Sequence, residues 1–86
     1  MAYEVRYLLA SEPDEDNEVT YWRKYSTWGT KILLNATLFS TEEEAVYWHD
    51  KALSRFHAET FCNLVSVSIN IHESTPIKKL VERKVG

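Results

Sequence analysis

Five acidic residues, Glu12, Asp14, Glu15, Asp16 and Glu18, crowd into one short stretch of this 86-residue chain. Hard cations take several oxygen ligands at once, so such a cluster is the first place to look for a metal. The stretch lacks the glycine and the ligand spacing of a calcium-binding loop. It reads instead as a solvated loop, or as a charged contact for a basic partner in the manner of a phosphate-backbone mimic. The softer ligands are His49, His57, Cys62 and His72, separated by eight, five and ten residues. No zinc signature has those intervals. Cys62 near His57 would need an oxyanion site to act as a nucleophile, and none is visible, so it reads as a buried, inert thiol. With two glycines in the chain, there is no phosphate-cradling loop, no nucleophile elbow and no nucleotide fingerprint. No catalytic, metal or cofactor-binding residue is assigned, and no cofactor is expected.

The second group of candidates is aromatic: Tyr21, Trp22, Tyr25 and Trp28. Trp and Tyr serve as anchors at protein interfaces because each buries a large, rigid surface. On a strand, Tyr21 and Tyr25 would point to one side, with Trp22 and Trp28 on the other. One pair would then have no core to enter, and the expectation is that Trp22 or Trp28 lies at an interface.

The elements that must position these groups follow from periodicity. Tyr3, Val5, Tyr7 and Leu9 alternate with their neighbours, as a half-buried strand requires. Residues 10–18 form the acidic loop, with Pro13 unable to join a ladder comfortably. Val19 to Trp28 is rich in β-formers, Gly29 supplies a turn, and Thr30 to Phe39 completes a hairpin. Ser40 with Glu43, or Thr41 with Glu44, forms a capping box, and Glu42, Glu43 and Glu44 complement the helix dipole. Ala45, Trp48, Ala52 and Phe56 then recur at helical spacing, predicting one helix over about residues 41–58. Val65, Val67, Ile69 and Ile71 alternate with polar residues in a fourth strand. Thr75-Pro76 resembles a helix start, and Ile77, Leu80 and Val81 suggest a short C-terminal helix.

The predicted architecture is one α+β domain over residues 1–86, with elements in the order β-β-β-α-β-α. Its four-stranded mixed sheet has strand order 3-2-1-4, with strand four parallel to strand one through a right-handed crossover. The long helix packs on one sheet face. The other face, carrying Ser66, Ser68 and Asn70, is left without a helix, and the docking reading rests on that asymmetry.

Composition narrows the function classes. A hydrophobic content of 44% suits a folded domain rather than a disordered one. The single cysteine, the absence of a basic start with an apolar run, and the lack of any bilayer-length apolar stretch set the expectation of a cytoplasmic protein with no membrane partner. Net charge is -3, with ten acids and four bases in residues 1–50 against three acids and six bases in residues 51–86. The acidic half disfavours nucleic acid through phosphate repulsion.

Leu38-Phe39-Ser40-Thr41-Glu42-Glu43-Glu44-Ala45, entered from an aromatic hairpin, resembles a pattern found among small accessory proteins of bacteriophages and prophages. The resemblance covers about residues 19–56 and carries no functional residue over. It implies a phage-encoded inhibitor or modulator of a host protein, similar in size and acidity to anti-CRISPR proteins. The reading of the chain is therefore a non-enzymatic protein-binding module using the acidic loop, the aromatic hairpin or both, with a homodimer as one form the contact could take. Two alternatives come from other classes. One is a nucleic-acid-associated regulator using Lys78, Lys79, Arg83 and Lys84 with His72. The other is a small enzyme or enzyme subunit.

Overall fold

The computed structural model describes residues 3–70 and 75–84. The two clearest alternations in the chain become strands, β1 (Tyr3–Ala10) and β2 (Asn63–Asn70). They pair antiparallel, in register from Tyr3 opposite Asn70 to Ala10 opposite Asn63. A third strand, β3 (Thr75–Lys84), pairs antiparallel with the other edge of β2. The sheet is thus three-stranded and antiparallel, in the order β1-β2-β3.

This corrects the predicted four-stranded mixed sheet of order 3-2-1-4 in strand number, order and direction. Strand one does neighbour the 63–70 strand, but in the opposite sense. A parallel crossover needs a helix long enough to carry the chain back along a strand, about 26 Å for eight residues. The expected long helix is broken into pieces. α1 (Glu42–Tyr47) continues into a π-helical segment, Trp48–Ala52, and the chain then turns extended at Leu53 before α2 (Arg55–Thr60). Each six-residue α-helix spans only about 9 Å.

The caps explain the break. Thr41 Oγ1 accepts from the Glu44 backbone N–H at 3.1 Å, as one of the two capping-box registers anticipates. Ser54 Oγ accepts from His57 N–H at 3.2 Å and so starts a second helix where one continuous helix was expected. The buried His49 ring ties the two pieces together. Its Nε2 lies 2.7 Å from the Ala58 carbonyl in α2, and its Nδ1 2.8 Å from the Asp50 carboxylate. Ala52 and Phe56, expected on the sheet-facing side, are exposed.

The predicted hairpin over 19–39 is also not a pair of strands. A single isolated bridge, Tyr21–Thr30, joins its two halves among the described residues, while Tyr7–Phe39 and Ala10–Tyr21 join the segment to β1. Tyr25 and Gly29 both adopt left-handed backbone, at φ 65° and 73°, and Leu33–Asn35 forms a 3-10 turn. None of these can continue a ladder. Side-chain hydroxyls also take donors that a ladder would use: Thr37 Oγ1 accepts from Lys24 N–H at 2.7 Å, and Thr30 Oγ1 from Ile32 N–H at 3.1 Å. The segment still lies along the open edge of β1, where Trp22 N–H donates to Leu9 O at 2.8 Å and Phe39 N–H to Tyr7 O at 2.7 Å.

The expected C-terminal helix is β3 instead. Its register skips Leu80, between Val81 opposite Ser66 and Lys79 opposite Val67, and skips Ile77, between Lys78 opposite Ser68 and Pro76 opposite Ile69. Two bulges thus interrupt the period of two, which is why Ile77, Leu80 and Val81 imitate a helical stripe. A ten-residue helix has little stability of its own, whereas the free edge of β2 supplies a row of backbone partners. Pro76 is tolerated because β3 is an edge strand.

Both faces of the β1–β2 pair carry packed cover. Leu8, Ala10, Val65, Val67 and Ile69 pack with Tyr21 and Ala36, and with Val19, Leu33 and Leu38, all from the irregular segment. Leu9 and Leu64, on the opposite face, pack with Trp22, Phe39, Ala45 and Phe61 against the helices. The helices therefore sit on the face opposite Val65 and Val67, and no bare face remains in this part of the sheet. The asymmetry on which the docking expectation rested is filled by irregular chain. Of the residues in the earlier readings, Ile71 and His72 lie outside the described ones.

Two variants test this architecture. A Cβ on Gly29 would stand 2.4 Å from Tyr21 O and 3.0 Å from the Phe61 ring. Gly29→Ala, at a left-handed position against backbone, is expected to destabilise by about 2–4 kcal/mol. That would lower Tm by at least about 8 °C in a domain of this size. His49→Ala leaves the Ala58 carbonyl without its imidazole partner and is expected to cost about 1–3 kcal/mol in denaturant unfolding. An unchanged midpoint would mean the tie across the helix break carries no load.

Candidate functional site

The acidic loop is held together by its own backbone. Asp14 Oδ1 accepts from the N–H groups of Asp16 and Glu18, both at 2.9 Å, while Asn17 takes a left-handed turn at φ 62°. Lys31 pairs with the Glu18 carboxylate and lies 3.9 Å from the second oxygen of Asp14. The hydrogen bond to Glu18, then its charge, raise the Lys31 pKa above the ordinary lysine value. Asp14 and Glu18 are therefore engaged in building the loop, and Glu15 and Asp16 are left exposed beside them. Glu12 lies near Cys62, whose Sγ is 3.9 Å from Glu12 Oε1. Among the described residues no group of three or more His, Cys, Asp and Glu side chains converges as a metal site.

The aromatic candidates separate into two kinds. Tyr21 and Trp22 are core residues, one in each cluster, so they do point to opposite sides. Trp22 is 4% exposed, stacks on Phe39 at 5.9 Å, and meets Trp48 at 5.5 Å. Tyr25 and Trp28, by contrast, are 97% and 77% exposed. Of the two tryptophans expected at an interface, Trp22 is in the core, and Trp28 is exposed together with Tyr25.

Tyr25 lines an open groove of about 620 Å³, and Trp28 follows directly on Thr27, the last loop residue of that lining. The 24–27 loop forms one wall, Trp22 and Trp48 the floor, and Ala52, Leu53 and His57 the other wall. His57 Nε2 is 2.9 Å from the Thr27 carbonyl, which fastens the loop to α2. The His57 ring also lies between Phe56 and Phe61, at 5.7 and 5.9 Å. Lys24 Nζ sits over two rings, 5.0 Å from the Trp48 centroid and 5.4 Å from that of Tyr25. Such contacts contribute about 0.5–1 kcal/mol at exposed sites.

Sequence reasoning missed Lys24, Trp48, Leu53 and His57 as groove residues. The adjacency of Lys24 to Tyr25 was the only local signal. Its contact with Trp48 joins residues distant in sequence and depends on the helix break, which no spacing announced. The basic residues of the nucleic-acid reading, Lys78, Lys79, Arg83 and Lys84, fall on edge strand β3 rather than on a helix. A second cavity, of about 460 Å³, runs along the outside of α1 and the π-helical segment between Glu42, Glu43, Val46, Tyr47, Asp50 and Lys51. Among the described residues no helix is long and apolar enough to cross a membrane.

The acidic loop has a direct test. Asp14→Ala should speed hydrogen exchange at the Asp16 and Glu18 amides, whereas Glu15→Ala should leave both unchanged. Equal rates in the two variants would remove Asp14 as the organiser of the loop. Comparisons with protein-family models, with curated proteins and with solved structures find no match to this chain.

Proposed function

We propose that this protein is a non-enzymatic binding module that docks a partner protein through the aromatic groove lined by Tyr25 and the exposed Trp28 that adjoins its loop. The observation that carries the reading is Tyr25. A bulky residue at φ 65° is strained by about 1–2 kcal/mol, yet its ring is 97% exposed and enters no core. Strain held without a packing return is characteristic of surfaces shaped for contact. Trp28, also exposed, lies three residues on, and the Tyr25 ring lines the groove with Trp22 and Trp48, which cluster with Phe39. A rigid floor with exposed aromatic rims suits hot-spot recognition, because little side-chain freedom is lost on binding. Among the described residues the groove pairs no nucleophile with a base, and the one imidazole on its wall is occupied by the Thr27 carbonyl, which favours binding over catalysis.

The finer form of this reading follows from the phage-like pattern at residues 38–45. In it the partner is a host protein whose working surface the module covers. The acidic loop, whose Asp14 and Glu18 are spent on its own architecture, is secondary in either form.

A photo-crosslinking amino acid placed at position 28, and separately at position 15, distinguishes the two surfaces in lysate of the source cell. One discrete adduct from position 28 and none from position 15 is the expected pattern. Adducts from position 15 alone would move the site to the acidic loop. Tyr25→Gly relieves the left-handed strain while removing the ring. It should leave Tm unchanged or slightly raised and reduce the position-28 adduct at least fivefold. Retention of the adduct in that variant would remove Tyr25 from the interface.

A further inference from the structure

Among the described residues Lys24 is the one charged side chain on the wall of the groove, and none of those lining it is acidic, although the chain as a whole carries net charge -3. Among the described residues its ammonium has no carboxylate within ion-pair distance. Arg55 and Lys31, by contrast, are paired, Arg55 with Glu59 at 2.9 Å and Lys31 with Glu18. Two rings hold the Lys24 ammonium at 5.0 and 5.4 Å and restrict where it can go. Rings stabilise a cation without neutralising it, and they leave its donors to be satisfied from the open side. A held but unneutralised lysine loses little freedom when an anion arrives. Around it, Trp48, Tyr25 and Leu53 present apolar surface.

Resting on the docking reading above, we infer that the groove takes an extended protein segment in which a carboxylate side chain lies next to a large apolar one. The carboxylate pairs with Lys24, and the apolar side chain rests on Trp48 and Leu53. Charge complementarity selects this occupant. A basic segment would meet Lys24 head-on. A nucleic acid would need several cations to offset repulsion from an acidic protein, since each phosphate contact adds only one increment of affinity. A single carboxylate matches a single lysine. A charge-assisted pair at this position is strong enough to decide between peptides that differ in one functional group.

The test uses the full ¹⁵N-labelled chain titrated with short capped peptides of alternating leucine and glutamate. Leucine–glutamine and leucine–lysine counterparts, and a short oligothymidylate, serve as comparisons. The leucine–glutamate peptide is expected to shift the amide resonances of Tyr25 and Leu53 and the indole resonance of Trp48. It should bind about tenfold more tightly than the glutamine peptide, a difference of about 1.4 kcal/mol. Lys24→Gln should abolish that preference, and Lys24→Arg should preserve it. If the glutamine or lysine peptide occupies the groove as tightly, the carboxylate assignment fails while the docking reading stands. Tighter binding of oligothymidylate than of any peptide overturns the assignment in favour of phosphate. No groove shift with any peptide at millimolar concentration overturns both readings together.

Discussion

Strand β2 is the constraint on which the molecule depends. It is hydrogen-bonded along both edges, to β1 and to β3, and Leu64, Val65, Val67 and Ile69 are buried on its two faces. A strand so placed needs cover on both sides, and an 86-residue chain has little material to provide it. One cover is the segment from Val19 to Leu38, the other the broken helical stretch with Phe39 and Phe61. Neither is a regular layer. Each is shaped by the side chains it must deliver, and its irregularity follows from that demand. Tyr21 and Trp22 show this directly, since two neighbouring residues enter two different cores.

The groove is a by-product of this arrangement. To place Trp22 under the helices and Ala36 under the opposite face, the chain between them has to double back within a few residues. It does so through the left-handed Tyr25 and Gly29 and is fastened by the His57–Thr27 contact. The loop that results stands away from both cores with its rings outward. Its opposite wall exists only because the helix stops at Leu53 and restarts at Ser54. Fold and site therefore share their two irregularities.

What was legible in the sequence was local. Alternation at Tyr3–Ala10 and Asn63–Asn70 identified two strands, and the Thr41–Glu44 cap located a helix start. What was not legible depended on competition between distant groups. The β-formers of 19–39 could make a hairpin, but covering two faces outweighed ladder formation. Ala45, Trp48, Ala52 and Phe56 could share one helical face, but a second cap at Ser54 and the His49 tie to Ala58 ended the helix early. Bulges at Ile77 and Leu80 disguised a strand as a helix. For the candidate site, the residue types were visible in Tyr25 and Trp28, whereas the charged partner Lys24 and the wall at Leu53 emerge only from the tertiary path.

The outer strand of the sheet has a consequence of its own. β3 ends the sheet, so its outer backbone groups are unclaimed by β1 or β2, the geometry from which chains stack into fibrils. Its sequence sets lysine at 78, 79 and 84 and arginine at 83, places proline at its second residue, and interrupts the ladder with two bulges. Each of these discourages strand-by-strand growth, and like charges brought edge to edge would repel. Strand-by-strand growth along that border is thus disfavoured by the residues that form it.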